Sequence, residues 1–340
     1  MAATTVHTGD DAKSGHRLLV DLFYGGIFGT IAKSATAPLD RAKILLQTQA
    51  ANPAVVKGHV APYAGAWNCL SRVTTEQGFM ALWRGNMANC LRYAPQQGSA
   101  LAFNDAIRRA LPSYNPKHEY SAWLLTSLAY GGIAGALSCT LCYPLDYAHT
   151  CLAAEMGGHG RPRFAGIMDC VTTTVRSQGI LGLYTGWLPT VLGAFVFYGA
   201  MFASLERVLR LNPYPVHRTA GGSAQPKQAG DATAYSYSTA VVCTLACACV
   251  ARAVPLAVTY PVDTLRRRMM LWSDVPKKDR MYPSLCTAYT RMMRDGGGIR
   301  GLYSAAHLDV MRSCGVLTVL ALCDAAVDWN RWLPGLSGAA

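Results

Sequence analysis

Three times in this chain a Pro-x-Asp element closes an apolar stretch, and each aspartate has a basic or titratable residue three positions on. The copies are Pro38-Leu39-Asp40-Arg41-Ala42-Lys43, Pro144-Leu145-Asp146-Tyr147-Ala148-His149 and Pro261-Val262-Asp263-Thr264-Leu265-Arg266. Acid and base three apart share one helix face, and a proline inside a helix kinks it. The chemistry is reversible ion pairing at helix bends, not covalent catalysis. No nucleophile–base–acid set and no metal cluster stands out, so an enzyme is the least supported class. A second set of charges sits where charge is costly: Lys33, Arg92 and Arg252 interrupt apolar stretches. Cations in such places are expected to face water or a partner.

The Pro-x-Asp copies recur about 110 residues apart, so the chain is a threefold tandem repeat. Six apolar helical stretches can be drawn, at about 17–49, 86–110, 121–154, 187–210, 235–271 and 304–332. Each exceeds the roughly 20 residues that cross a bilayer. Within each pair lies a shorter amphipathic segment, at about 65–77, 165–177 and 284–294, suited to an interface. This predicts a polar N-terminal extension (1–16), three repeats (17–113, 118–213 and 235–333) and a flexible Gly/Ala/Gln/Pro-rich linker (214–234). Small residues spaced for close helix contact recur in the odd helices: Gly25, Gly26 and Gly29, then Gly131, Gly132 and Gly135, then Ala246, Ala248 and Ala251.

Composition agrees. The 340 residues are 51% hydrophobic and 15% charged, with a mean hydropathy of +0.16. That leans towards membrane, against a soluble helical protein with interrupted core helices. The formal net charge is +12, yet no nucleic-acid module or basic helix accompanies it. An anionic lipid surface or an anionic solute is the better partner. Twelve cysteines show no zinc-like pairing, and Cys139, Cys142, Cys243, Cys247 and Cys249 sit in apolar runs. They read as small buried thiols. Residues 1–16 hold no signal-peptide core and no Arg-rich transit peptide, so targeting is expected to be internal.

Two spans plus an interfacial helix, three times over, with Pro-x-Asp-x-x-Lys/Arg closing each odd span, resemble the mitochondrial carrier family over about 17–332. Arg266-Arg267-Arg268-Met269-Met270-Leu271 looks like the signature of its ADP/ATP-exchanging members, with Leu for a final Met. Glu76-Gln77-Gly78-Phe79, Trp83-Arg84-Gly85-Asn86 and Tyr143-Pro144-Leu145-Asp146 match as well. The resemblance implies an all-α membrane protein with six transmembrane helices in three pseudo-symmetric repeats. It implies a monomeric ADP:ATP antiporter of the mitochondrial inner membrane, working by alternating access.

The family's ring, carried over residue by residue, joins Asp40 with His149, Asp146 with Arg266 and Asp263 with Lys43 as a matrix gate. His149 stands where the family has Arg or Lys, which should weaken one link. The cytosolic gate is poorer. Asp105 and Arg108 are kept, whereas Glu206 and Asp324 are followed at the base position by Leu209 and Val327. For the substrate, the resemblance implies phosphate binding by Lys33, Arg92 and Arg312, with Arg266 and Arg267 lower in the cavity. It further implies that Gly193 and Ala194 form an apolar slot for adenine, with either Phe197 or Tyr198 stacking on the base. Three departures stand out. Ala100 replaces an Asn, Asp309 lies three residues before Arg312, and Arg252 adds a cation on the cavity face of the fifth helix. Cardiolipin is implied at helix N-termini opened by aromatic-x-Gly turns at Gly65, Gly85, Gly166 and Gly186. Tyr282-Pro283-Ser284 and Tyr303-Ser304-Ala305 break that pattern. The rival readings are a carrier of another adenine nucleotide or phosphorylated anion, and a carrier-fold scaffold that no longer transports.

Overall fold

Helix α1 spans Thr8–Thr48. The helix therefore starts inside the segment read as a polar extension. The computed structural model of the chain describes residues 8–110, 119–156, 163–197, 216–218, 224–226, 237–273, 275, 278–295 and 298–332. Among the described residues, the other helices of more than five residues are α2 (Ala66–Gln77), α3 (Asn86–Ala110), α4 (Tyr120–Ala153), α5 (Ile167–Gln178), α6 (187–197), α7 (Tyr237–Met270), α8 (Leu285–Asp295) and α9 (Ala306–Trp332). Long helices alternate with short ones in each third of the chain, as the periodicity predicts. Pro38, Pro144 and Pro261 lie inside α1, α4 and α7. A small antiparallel hairpin, β1 (Val216–Arg218) with β2 (Ala224–Pro226), occupies part of the segment read as a flexible linker. Five residues with a Gly-Gly pair separate its strands, a spacing that allows a hairpin.

Helix α3 packs on α4, and α1 packs on α3 and on α9, joining the first repeat to the last. Close approach uses the small residues: a Cβ on Gly29 would overlap the Tyr93 ring, and one on Gly132 the Phe195 ring. Among the described residues, Ser121–Ala153 and Ile180–Phe197 are long and apolar enough to span a membrane on composition alone. The long helices also carry charges that turn inward: Asp40, Lys43, Asp146, His149, Arg267 and Asp309 are all buried. Their outer faces are apolar, with Ile27, Leu91, Leu137, Leu192, Val254 and Met311 exposed. Apolar outside and charged inside suits lipid, where buried charges need partners. The helices fit an all-α membrane protein.

The apolar core lies at the kinked end and repeats three times. Tyr63, Cys69, Val73 and Leu82 pack around α2. Phe164, Cys170 and Leu183 do so around α5, and Tyr282, Ala288, Met292 and Leu302 around α8. Among the described residues the cysteines are free, and Cys69, Cys142, Cys151 and Cys170 are buried. Burial pushes the Cys69 thiol up to about 12, so it remains a protonated, inert thiol.

Candidate functional site

The kinks in α1, α4 and α7 bring their acid–base pairs to one level, where each acid reaches the base of another helix. His149 Nε2 lies 3.2 Å from Asp40 Oδ2. Arg266 Nη1 is 3.1 Å from Asp146 Oδ2, and Lys43 Nζ is 3.0 Å from Asp263 Oδ2. The ring joins all three repeats. His149 is oriented by its second nitrogen, Nδ1, which is 3.0 Å from the carbonyl of Gly85. Such pairs, removed from water, hold strongly only when their remaining polar atoms are also satisfied.

Sequence reasoning missed the groups that do this. Gln47, fully buried, donates to Asp263 Oδ2 at 3.2 Å and to Thr264 Oγ1 at 2.9 Å. Its signal was available: it stands four residues after Lys43, on the same helix face. Arg268, the third arginine of the run, is also buried. It donates to the carbonyls of Gln47 at 2.9 Å and Gly301 at 3.0 Å. It ties α1 to the α9 approach and is structural. Arg84 pairs with Glu155 at 2.7 Å and donates to the Phe164 carbonyl, locking the first repeat to the second.

Beside the ring, on the turn of each helix leading away from it, lie the other basic residues. Arg92 Nε is 3.6 Å from Asp146, and its guanidinium also bonds Asn89 and Gln96. Arg312 reaches Asp40 at 3.4 Å and Asp309 at 2.7 Å. Lys33 lies over the Tyr93 ring, its Nζ 5.7 Å from the centroid. Arg267 turns to Asp263 at 3.1 Å and to Thr150, becoming a further partner of that ring acid. Arg266 also approaches Asp263 at 3.5 Å. The acids Asp40, Asp146, Asp263 and Asp309 are thus outnumbered by the cations around them, a charge balance suited to an anion.

The expected base-stacking site is partly described. Gly193 abuts Val262, whose Cγ1 would lie 3.3 Å from an added Cβ, and Ala194 is half-buried. Arg252 sits over the Phe197 ring at 5.5 Å from the centroid, so the added cation and the aromatic form one unit. Tyr198 and Glu206 lie outside the described residues, as does the Asp324 side chain. Asp105 and Arg108 are exposed at the far end of α3, with Arg108 over the Tyr130 ring at 6.0 Å. Gly65, Gly85, Gly166 and Gly186 each stand at the N-terminus of a helix.

Against known proteins, the family model described as mitochondrial carrier protein matches residues 14–115, 120–213 and 238–324. The chain is 36% identical over 304 residues to an ADP,ATP carrier protein of Parachlorella kessleri, covering 89% of this chain and 83% of that one. It is 36% identical over 306 residues to ADP/ATP translocase 3 of Homo sapiens, covering 89% and 95%. To ADP/ATP translocase 4 of Mus musculus it is 33% identical over 306 residues, covering 89% and 88%.

Proposed function

The chain belongs to the mitochondrial carrier family, and from that premise we propose that it exchanges ADP for ATP across the mitochondrial inner membrane by alternating access. One observation carries this reading. A ring of ion pairs joining the three repeats lies directly beside Lys33, Arg92 and Arg312, cations whose present partners are an aromatic ring, amides and carboxylates. Phosphates fit that set. Guanidinium groups bind phosphate oxygens bidentately, and in a cavity with little water each charged hydrogen bond contributes about 1.5–3 kcal/mol. Similarity to relatives named for ADP and ATP supports the nucleotide.

The mechanism follows from the competition. Asp40, Asp146 and Asp263 are held in a ring of ion pairs, and on this reading that ring is the matrix-side gate, shut while the cytosolic side is open. Entering phosphates compete with Asp40 and Asp309 for Arg312 and with Asp146 for Arg92. Each ring acid that loses a cation is held less firmly, and the odd helices can part. The nucleotide thus supplies the free energy that opens the side opposite to its entry. On the cytosolic side only the first repeat keeps both an acid and a base at the gate positions, Asp105 and Arg108, so that gate closes with less help from charge. Cardiolipin phosphates are held at the N-termini after Gly65, Gly85, Gly166 and Gly186, where backbone N–H groups point outward. The protein works as a monomer.

Arg252 on Phe197 favours a second reading, a carrier of a different adenine nucleotide or phosphorylated anion. An extra cation at the base-stacking position raises the cavity's affinity for an additional anionic group. Liposomes containing cardiolipin and loaded with ATP decide between the two. Rapid uptake of external ADP, with AMP and non-nucleotide phosphates slower by at least tenfold, is the expected outcome. Equal or faster uptake of one of those competitors establishes the second reading, and no uptake of any of them removes both.

A further inference from the structure

The position three residues before each cavity residue of an even helix can be compared across the repeats. Before Arg92 it is Asn89, before Gly193 it is Thr190, and before Arg312 it is Asp309. Two are neutral and one is an acid. Asn89 accepts from Arg92 at 3.0 Å and offers its amide to Asp40 at 3.5 Å. Asp309 has no amide to offer and is 3% exposed, so both its oxygens need cations. Oδ1 accepts from Arg312 Nη2 at 2.7 Å and Nε at 3.1 Å. Oδ2 lies 3.1 Å from Lys43 Nζ. One carboxylate thereby joins a cation assigned to the substrate to a cation of the ring.

We propose that Asp309 is a relay between the substrate site and the ring: an anion that takes Arg312 releases Asp309 to draw Lys43 away from Asp263. The inference rests on the reading that Arg312 binds the transported anion. The exchange strands no charge. Asp263 keeps Gln47, Arg267 and Arg266 when Lys43 leaves. Lys43 keeps Asp309, which lies on α9, the helix packed against its own. Opening a buried ion pair is costly mainly because one partner is left uncompensated, and here neither is. Repeats one and two, with Asn89 and Thr190, have no such carboxylate. Asp309 acts through Arg312 and Lys43, so it is a positioning residue.

The test uses the full-length protein, with Asp309→Asn and Asp309→Glu. Freed of its acid, Arg312 should bind anions more tightly, while Lys43 loses the counter-ion that eases opening. In ATP-loaded liposomes, Asp309→Asn is therefore expected to lower the half-saturating ADP concentration about threefold to tenfold, in line with the loss of one competing charged pair. It should also lower the maximal rate about tenfold. Asp309→Glu, which keeps the charge, should stay within about threefold of wild type on both. A merely structural residue would lower the rate through loss of folded protein and leave half-saturation unchanged. That result, or a glutamate variant as slow as the asparagine one, overturns the relay. Titration of the purified proteins with inorganic pyrophosphate gives a readout free of transport. Tighter binding to Asp309→Asn than to wild type supports the relay, and equal or weaker binding overturns it. If the wild type moves no ADP, the nucleotide reading falls and the pyrophosphate titration decides the relay alone. Should Asp309→Asn fail to fold, Asp309→Thr, copying the residue of repeat two, carries the same expectations. Failure of both to fold makes the acid structural and overturns the proposal.

Discussion

The junctions at which the even helices α3, α6 and α9 begin occupy equivalent places in the three repeats, and the third is built differently. Gly85 and Gly186 both have φ of 84°. A Cβ on Gly85 would lie 3.0 Å from the His149 carbonyl oxygen, and one on Gly186 would lie 3.1 Å from that of Arg266. These are the carbonyls of two ring bases, so the starts of α3 and α6 press on the helices that carry the next repeat's base. In the third repeat the residue is Ala305, with φ of 65° and its side chain buried in the apolar core. Left-handed backbone costs an alanine about 1–2 kcal/mol. The short helices diverge in the same sense. Gly65 and Gly166 offer no side-chain cap, whereas the Ser284 hydroxyl accepts from the Thr287 N–H at 3.3 Å. The comparison teaches that the threefold frame imposes a backbone shape even where the local residue disfavours it. Freedom from Cβ is needed only where the carbonyl of a ring base presses.

The sharpest break of this comparison lies at the two arginines. Arg92→Ala and Arg312→Ala are each expected to lower exchange by at least about 100-fold, two charged hydrogen bonds at roughly 1.5–3 kcal/mol each being lost. Arg312→Ala should also destabilise the fold, by about 1.5–3 kcal/mol, because Asp40 and Asp309 each lose one buried partner while keeping His149 and Lys43. Exchange assays and thermal unfolding of the purified variants check both claims, and wild-type rates in either variant remove it from the site.

Next come the junctions themselves. Gly85→Ala and Gly186→Ala should each cost about 2–4 kcal/mol, adding the left-handed penalty to overpacking against a backbone carbonyl. Ala305→Gly should stay within about 1 kcal/mol of wild type, since relief of strain offsets a lost buried methyl worth about 0.8 kcal/mol. Unfolding temperatures that fall equally in all three would show that the junctions are alike after all.

The ring offers a smaller contrast, because its link between repeats one and two depends on a histidine while the others use Lys43 and Arg266. His149 meets Asp40 through one ring nitrogen, whereas an arginine can bind a carboxylate with two parallel hydrogen bonds. His149→Arg is therefore expected to hold the ring more tightly and to exchange several-fold more slowly. Identical exchange rates in the two proteins would dissociate His149 from gating. The smallest effect is expected at the third short helix. Ser284→Ala should cost about 1 kcal/mol as a lost N-cap and Ser284→Gly only a few tenths, both measurable by thermal unfolding. Paired with Ala305→Gly, the glycine variant should retain more cardiolipin in native mass spectrometry, and unchanged retention would confine lipid binding to the first two repeats.

Much of the molecule is legible in one dimension because helical geometry is local. The recurrence of Pro38, Pro144 and Pro261 marks the repeats, and acid and base three apart must share a helix face. Helix limits followed from hydropathy to within a few residues at α3, α4 and α8. The sequence alone also determined which residue types could form the ring, and that Asp309 stands beside Arg312 on its helix. Beyond the three ring pairs that the resemblance implied, it could not say which charges pair across helices. Interaction energy falls with distance and rises steeply as water is excluded, and both are set by packing. So only the tertiary structure decided that Arg267 turns to Asp263, that Arg268 is a structural tie, and that Gln47 braces the ring. It alone placed Lys43 within reach of both Asp263 and Asp309, and it holds Ala305 in a conformation its side chain resists. In each case the choice belongs to a neighbour far away along the chain, brought close only by the fold.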